Sequence, residues 1–452
     1  MREPRPLFVA GLLCGAVAVF APQTQTRPPV RALGRATVSI EHGASAVTVR
    51  ELAGGRVMVI DYRRRQVYIL DAYLVRVEIV FDSAPGTATS FPEGAKFIPH
   101  IADSTFIHDR GTSSLLLYDP AGKFVRVTAS PLGRESYRLG NPGSLASDQR
   151  GRIVYQIPWY APDFPLCRDG KDAETRPSPT GDSTLLARAS FDTRSSDTVA
   201  RMVAPVAIFP VVGNGADCKP AKARMTITPV SRPIDDWTVT SSGSIAIVRG
   251  GTYSVDWIEP DGSRRSTPRM PFDWRRITDE EKQIKIDSAR RITDSVADAG
   301  GYHVRACMSE MSRSVSYFID APKPPPPGSP PAAANSGASG RSGGTSNGEF
   351  CAWLAIARDY PALSEIPDYV PPIRSGAVLA DRDDNVWILP TTSREAKNGL
   401  LYDVVNRKGE LFERVELPTD RAIAGFGKGG VVYLNWRDAS GVWSLERRVI
   451  QR

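Results

Sequence analysis

Residues 236–264 read Asp236-Trp237-Thr238-Val239-Thr240-Ser241-Ser242-Gly243-Ser244-Ile245-Ala246-Ile247-Val248-Arg249-Gly250-Gly251-Thr252-Tyr253-Ser254-Val255-Asp256-Trp257-Ile258-Glu259-Pro260-Asp261-Gly262-Ser263-Arg264. Ser242-Gly243 is a small polar turn ahead of the alternating run Ser244 to Val248. Asp261-Gly262 is a second turn, placed after Trp257-Ile258. Gly, Asp and Asn turns between β-branched or aromatic runs are hairpin signals. The stretch therefore predicts two hairpins, about four strands in all.

The first element recurs along the chain. Ala53-Gly54-Gly55 precedes Arg56 to Ile60, and Asp148-Gln149-Arg150-Gly151 precedes Arg152 to Tyr155. Asp383-Asp384-Asn385 precedes Val386-Trp387-Ile388, and Lys428-Gly429-Gly430 precedes Val431 to Leu434. Ala102-Asp103-Ser104 before Thr105 to His108 is a degenerate copy. The second element returns in Leu117-Tyr118-Asp119-Pro120-Ala121-Gly122 and in Tyr402-Asp403-Val404-Val405-Asn406-Arg407-Lys408-Gly409. Gly55 to Ser104 is 49 residues, Ser104 to Gly151 is 47 and Asn385 to Gly430 is 45. Four strands per unit at this period predict propeller blades, and six copies predict six. A seventh, degraded blade between Gly151 and Gly243 is the alternative count. The last copy supplies only three strands, so Ala36 to Ile40 is expected to add the fourth, removing the open sheet edges. The fold class that follows is all-β: a six-bladed β-propeller of four-stranded antiparallel blades, its ring closed by an N-terminal strand.

Composition agrees with this class. The chain has 452 residues, 41% hydrophobic and 24% charged, with 38 Gly and 37 Pro. These values exclude a wholly disordered chain and a polytopic membrane protein. The net charge of +7 is mild and its basic residues lie among acidic ones, so no nucleic-acid surface is implied. Met1 to Pro6 carries Arg2 and Arg5, and Leu7 to Ala21 is apolar and uncharged. Residues 1–26 read as a signal peptide, with an uncleaved N-terminal anchor as the alternative. The run is shorter than the roughly 20 residues of a membrane span, and no later stretch could cross a bilayer. The protein is expected in the periplasm or secreted, as a monomer.

The expected domains are blades one to four over 36–273, an insertion over 274–370, and blades five and six over 371–452. In a four-stranded meander the 1–2 and 3–4 turns share one face, and the 2–3 loops share the other with the crossovers. The recurrent short turns belong to the first class. The long segments, Ile157 to Asp182, Pro205 to Ala223 and Trp274 to Tyr369, belong to the second. Loops on a rigid scaffold carry binding function, so that face is the functional candidate. Within the insertion, Thr278 to Glu281 is a capping box opening a helix over 278–299, with Ile284, Ala289, Ile292 and Val296 at helical spacing. Between Pro322 and Gly348, 18 of 27 residues are Pro, Gly or Ser. That segment, 322–348, is a disordered tether.

Signal removal takes Cys14 and leaves Cys167, Cys218, Cys307 and Cys351, an even set suited to disulfides in an exported protein. Three connectivities are possible. Cys167 and Cys218 fall in loops of one blade on one face, which favours that pair and Cys307 with Cys351. No C-x-x-C spacing suggests zinc or redox chemistry.

Catalytic signatures are thin. There is no G-x-S-x-G, phosphate-binding loop or H-E-x-x-H. His100 and His108 lack a third ligand nearby, and Asp381, Asp383 and Asp384 lack the remaining features of an EF-hand. Asp235 and Asp236 either line the channel mouth or cap a strand start. Arg63-Arg64-Arg65 sits in a 2–3 loop on the candidate face. Trp159-Tyr160, beside Cys167, either stacks on a sugar or peptide or packs its loop onto the blade; it is the binding candidate. No cofactor and no metal is expected.

The sequence resembles exported bacterial six-bladed propellers of the broad TolB-like or NHL-like type over about residues 36–452. The likeness is carried by Asp236 to Val239 through Tyr253 to Gly262, by Asp381 to Trp387, and by Pro367 to Pro372. The resemblance implies a blade scaffold, and the fold also includes calcium-dependent lactonases, whose metal-binding acids have no match here. The reading is an exported binding or interaction module using the loop-bearing face for a protein, peptide or glycan. A channel-sited hydrolase or lyase, metal-dependent in some versions, is the alternative.

Overall fold

The structure, a computed structural model, describes residues 28–41, 47–82, 91–92, 95–109, 112–132, 145–157, 183–203, 211–214, 220–230, 232–298, 303–309, 315–320, 349–395 and 399–452. Six four-stranded antiparallel units form the blades. Blade one is Val47–Glu51, Val57–Asp61, Gln66–Leu70 and Arg76–Phe81. Blade two is Lys96–Pro99, Thr105–Asp109, Ser114–Tyr118 and Phe124–Ala129. Blade three is Ala146–Ser147, Ile153–Ile157, Ser183–Ala189 and Ser196–Val203. Blade four, the stretch quoted first, is Asp236–Val239, Ile245–Arg249, Ser254–Ile258 and Arg264–Ser266. Blade five is Val378–Ala380, Val386–Ile388, Leu401–Val405 and Leu411–Glu416. Blade six has Arg421–Phe426, Val431–Arg437 and Trp443–Val449.

The fourth strand of blade six is Val38–Glu41, antiparallel to Trp443–Val449 with Ile40 opposite Leu445. The expected N-terminal closure is therefore what the chain does. A second N-terminal strand, Val30–Ala32, lies parallel to the outer strand of blade five, which the sequence did not suggest. The count is six, and the gap between Gly151 and Gly243 holds no further blade among the described residues.

Packing closes the ring as firmly as pairing does. Each blade is apolar on both faces, and each of the six gaps between neighbours holds its own buried cluster. Val59, Tyr68 and Leu445 join blades one and six, and Trp237, Ile245 and Val154 join blades three and four. Tyr402, Val432 and Leu434 fill the gap between five and six. The largest buried side chains, Trp237, Trp257 and Trp387 among them, stand in these seams. Burying a side chain of that kind contributes roughly 1.5–3 kcal/mol, so the seams supply most of the driving force.

Several of the short turns share one mechanism. In these the side chain opening the turn accepts the amides two and four residues on: Asp119 from Ala121 and Lys123, Asp148 from Arg150 and Arg152, Asn406 from Lys408 and Glu410. The fourth position is left-handed, as at Gly122, Gly151 and Gly409. At Gly243 the requirement is double. Its φ is +82°, and a Cβ there would stand 2.8 Å from the backbone nitrogen of Gln149 in the next blade's turn.

The insertion contains more than a helix and a tether. Its helix, Asp279–Asp298, starts at the expected box, in which Thr278 Oγ1 accepts from the Glu281 amide and the Glu281 carboxylate from the Thr278 amide. The buried side is not the expected one. Ile284 and Ile292 are exposed, whereas Lys282 and Ile286 turn inward. His303–Ser309, Val315–Asp320 and Glu349–Asp359 form a sheet with Val211–Asn214 and Pro220–Thr226 from the crossover between blades three and four. The two crossovers thus share one satellite sheet, joined by a parallel pair between Pro220–Thr226 and Glu349–Asp359. The tether over 322–348 lies outside the described residues.

Candidate functional site

Two cavities bear on function. The first is the central channel, about 430 Å³, lined by the inner strands of all six blades. Its end at the short-turn face is crossed by side chains. Arg382, from the first turn of blade five, donates to both carboxylate oxygens of Asp103 in blade two, 2.6 and 2.8 Å away, and to the carbonyl of Glu51 in blade one. Blades two and five are opposite in a ring of six, so this contact spans the axis. Arg50 also donates to Asp103 at 3.1 Å and to Thr105 Oγ1. Burial, with Arg382 beside it, lowers the Arg50 pKa to about 10. Lys428 Nζ stands 3.6 Å from the same carboxylate.

The second cavity lies on the loop-bearing face, as a cleft of about 1030 Å³ between the root of the insertion and blade five. Its walls come from Pro229 and Val230 before blade four, from 272–277, from Lys285 on the helix, from 370–374, and from Thr391 and Thr392 in the 2–3 loop of blade five. The two ends of the insertion are zipped together beneath it. The Ile277 amide donates to the Asp368 carbonyl at 2.8 Å and the Val370 amide to the Arg275 carbonyl at 3.0 Å. Ile277, Ile286, Ile366 and Val230 fill the space under the helix, and Lys282 Nζ bonds Asp368 at 2.6 Å.

An aromatic row runs out of the core through Phe272 and Trp274, which line this cleft, to Tyr369 beside it. Tyr253, fully buried, packs on Phe272 with centroids 5.3 Å apart. Phe272 meets Trp274 edge-on at 5.2 Å, and Trp274 meets Tyr369 edge-on at 6.5 Å. Trp274 is 41% exposed and Tyr369 47%. Tyr253 is fixed in turn by its hydroxyl, which donates to Asp403 at 2.5 Å. The exposed pair is thus rooted in a rigid blade. Arg275, Lys285 and Arg374 add three cations to the lining against one carboxylate, Asp273.

The described residues singled out from the sequence fall elsewhere. Trp159, Tyr160, Cys167 and Cys218 lie outside the described residues. Cys307 and Cys351 are direct register partners in the satellite sheet. His100 and His108 are at opposite ends of one hairpin; burial lowers the His100 pKa to about 4, and its Nδ1 lies 3.1 Å from Ser147 Oγ. The acidic turn of blade five is engaged with the protein around it. Asp381 is buried and accepts from Trp387 Nε1 and from Asn385, Asp383 caps the amides of Gly429 and Gly430, and Asp384 accepts from Ser242. Each carboxylate serves a different neighbour, so the three do not converge. Among the described residues no group of three or more His, Cys, Asp or Glu is arranged to hold a metal.

Asp235 and Asp236 tie strand ends together rather than line the channel. Asp235 bonds Arg249 at 2.6 Å and the Val203 amide. Asp236 accepts from the Val378 amide at 3.0 Å, fastening blade four to blade five; burial pushes its pKa up to about 7. Arg63, Arg64 and Arg65 form an exposed turn on the loop-bearing face. The cleft residues Phe272 and Trp274, and Tyr369 packed beside them, were not foreseen as a site. The available signal was aromatics at both ends of a long insertion, the two points its root must bring together.

No family model matches the chain, and no curated protein matches it. Solved structures that resemble it include a DUF4221-family member from Bacteroides vulgatus, 7% identical, covering 93% of this chain and 98% of that one at a TM-score of 0.39. A candidate exported protein of Bacteroides fragilis is 8% identical over 92% and 94%, at 0.38. A catalytically inactive virginiamycin B lyase from Staphylococcus aureus, determined with quinupristin, is 9% identical over 91% and 98%, at 0.33. Nothing of those proteins' activities is carried over to this chain. The propeller assignment rests on the strand order itself.

Proposed function

We propose that the protein is an exported binding module that takes a protein, peptide or glycan on its loop-bearing face, with the cleft at the insertion root as the seat. The supporting observation is the exposed Trp274 and Tyr369 pair, anchored through Phe272 to buried Tyr253. Amphipathic aromatics held in place before binding contribute contact area at little entropic cost. The same reading includes a signal over 1–26, a periplasmic or secreted monomer, division of the chain at 36–273, 274–370 and 371–452, and pairing of Cys167 with Cys218 and Cys307 with Cys351. Trp159 and Tyr160 belong to it as further contacts on that face. The alternative, a channel-sited hydrolase or lyase, has less support, because the polar groups at the closed end of the channel are engaged with one another.

A glycan and peptide array probed with wild type, Trp274→Ala and Tyr369→Ala tests the proposal. A ligand held by wild type and weakened by roughly tenfold or more in both variants is the expected result. Ligand binding that both variants retain unchanged would remove the cleft from consideration.

A further inference from the structure

The composition of the cleft narrows its ligand. We infer that it takes an acidic oligosaccharide, one whose sugars carry carboxylates; this rests on the reading of the cleft as a ligand seat. Three observations combine. First, an exposed aromatic lines the cleft: Trp274 stands in its wall, and Tyr369 packs against it edge-on at 87° beside the opening. A pyranose presents weakly positive C–H groups on its ring faces, which suit the negative face of an aromatic ring. Second, the charge lining is cationic, with Arg275, Lys285 and Arg374 against Asp273. Arg275 is already engaged with Glu281 at 2.8 Å, and Arg374 has a partner of its own, so Lys285, exposed on the helix, is the charge chosen for substitution. Arginine suits a carboxylate's geometry, lysine a point contact.

Third, the backbone at the root argues against a peptide. Peptides commonly bind by adding a strand to an open edge, using main-chain donors and acceptors. Here the two segments at the root already pair with one another, through Ile277 with Asp368 and Val370 with Arg275. The hydroxyl of Thr391 donates to the Pro371 carbonyl at 2.7 Å. What this wall offers a ligand is aromatic faces and charged side-chain tips, which is the chemistry of saccharide recognition. The cavity, at about 1030 Å³, stands at the upper end of the roughly 300–1,000 Å³ usual for ligand pockets, so it admits several sugars.

The experiment is titration calorimetry on the intact chain with four probes: oligogalacturonides, the same oligomers after carboxyl reduction, a sulfated oligosaccharide and oligoglutamate. Wild type is expected to bind the oligogalacturonides, and to bind the carboxyl-reduced oligomers about tenfold or more weakly. Raising salt should weaken only the acidic ligand, because screening acts on the charge contact. Lys285→Glu should lower oligogalacturonide affinity about tenfold and that of the reduced oligomers by much less. Trp274→Ala should weaken both, and its melting temperature reports whether it has folded. Equal binding of acidic and reduced oligomers, both lost in Trp274→Ala, overturns the carboxylate inference and leaves the binding module intact. Tighter binding of oligoglutamate or of the sulfated probe overturns it too. Binding of none of the probes overturns it as well, and the broader reading then depends on the array, where a ligand lost in Trp274→Ala would still uphold it.

Discussion

The carboxylate of Asp236 belongs to the inner strand of blade four but accepts its hydrogen bond from Val378, at the start of blade five. Burial there pushes its pKa up to about 7, even though the amides of Val378, Trp237, Ala377 and Gly376 pull the other way. An unfolded aspartate titrates near about 3.9. The folded chain therefore holds this proton more tightly than the unfolded chain. The stability contributed is complete below the unfolded pKa and is lost as pH rises through about 7. Asp236→Asn, which keeps an acceptor oxygen for Val378 and cannot ionise, should show a smaller fall in melting temperature between pH 5 and pH 8 than wild type. Parallel falls in the two proteins would show that Asp236 does not drive the pH dependence. The ambiguity about this pair was real in the sequence, since a strand-capping carboxylate and a channel-lining one look alike until the neighbouring blade is in place. The turns were easier to read. Asp119 and Asp148 close their turns with their own side chains, so three or four residues carry the whole signal. Leu74 and Asp384 adopt the same left-handed position without glycine, at φ 59° and 65°, and nothing in their identity announces it.

At the scale of elements, legibility followed sequence distance. The helix cap was readable because Thr278 and Glu281 are three residues apart. The buried face of that helix was misread because one of its two inward positions, beside Ile286, is a lysine. Lys282 is covered with its amine on Asp368, while Ile284 and Ile292 face outward. The satellite sheet was missed for a related reason: its central parallel pair joins Ala223 to Ile356, and no local pattern links segments so far apart. The expected partners Cys307 and Cys351 both fall within it. Cys307 and Cys351 are opposed in an antiparallel register, where Cα atoms lie about 4.5–5.5 Å apart, within the range a disulfide bridges. We expect non-reducing peptide mapping of exported protein to yield a Cys307–Cys351 crosslinked peptide. Closing that loop should contribute about 3–4 kcal/mol on the chain-entropy account, so Cys307→Ser should lower the melting temperature. Recovery of both thiols free from protein made in an oxidising compartment would rule the bond out.

At the scale of the whole molecule, the blade count and N-terminal closure were legible because each repeats or completes a local pattern. The contact that crosses the axis was not. Asp103, Arg50, Arg382 and Lys428 come from blades two, one, five and six, and only a closed ring brings them together. Their arrangement has an asymmetric energetic consequence. The side chains of Arg50 and Arg382 are about nine-tenths buried, and Asp103, 32% exposed, is the carboxylate between them. Removing the shared carboxylate leaves two poorly solvated guanidiniums facing each other, whereas removing one arginine leaves Asp103 still paired. Asp103→Asn should therefore destabilise by about 2–3 kcal/mol, less than a fully buried charge would because water reaches this one. Asn tolerates the left-handed backbone at this position, φ 59°, so the substitution tests charge rather than strain. Arg382→Met should cost only about 1 kcal/mol, and combining it with Asp103→Asn should recover part of the larger loss by removing one of the opposed cations. Urea unfolding of the two single variants and the double variant measures all three. A cost for Asp103→Asn no greater than that for Arg382→Met, or strict additivity in the double variant, would mean that the axis contact is incidental. A strong coupling would mean that the short-turn end of the channel is held shut by opposite blades, leaving the loop-bearing face as the way in.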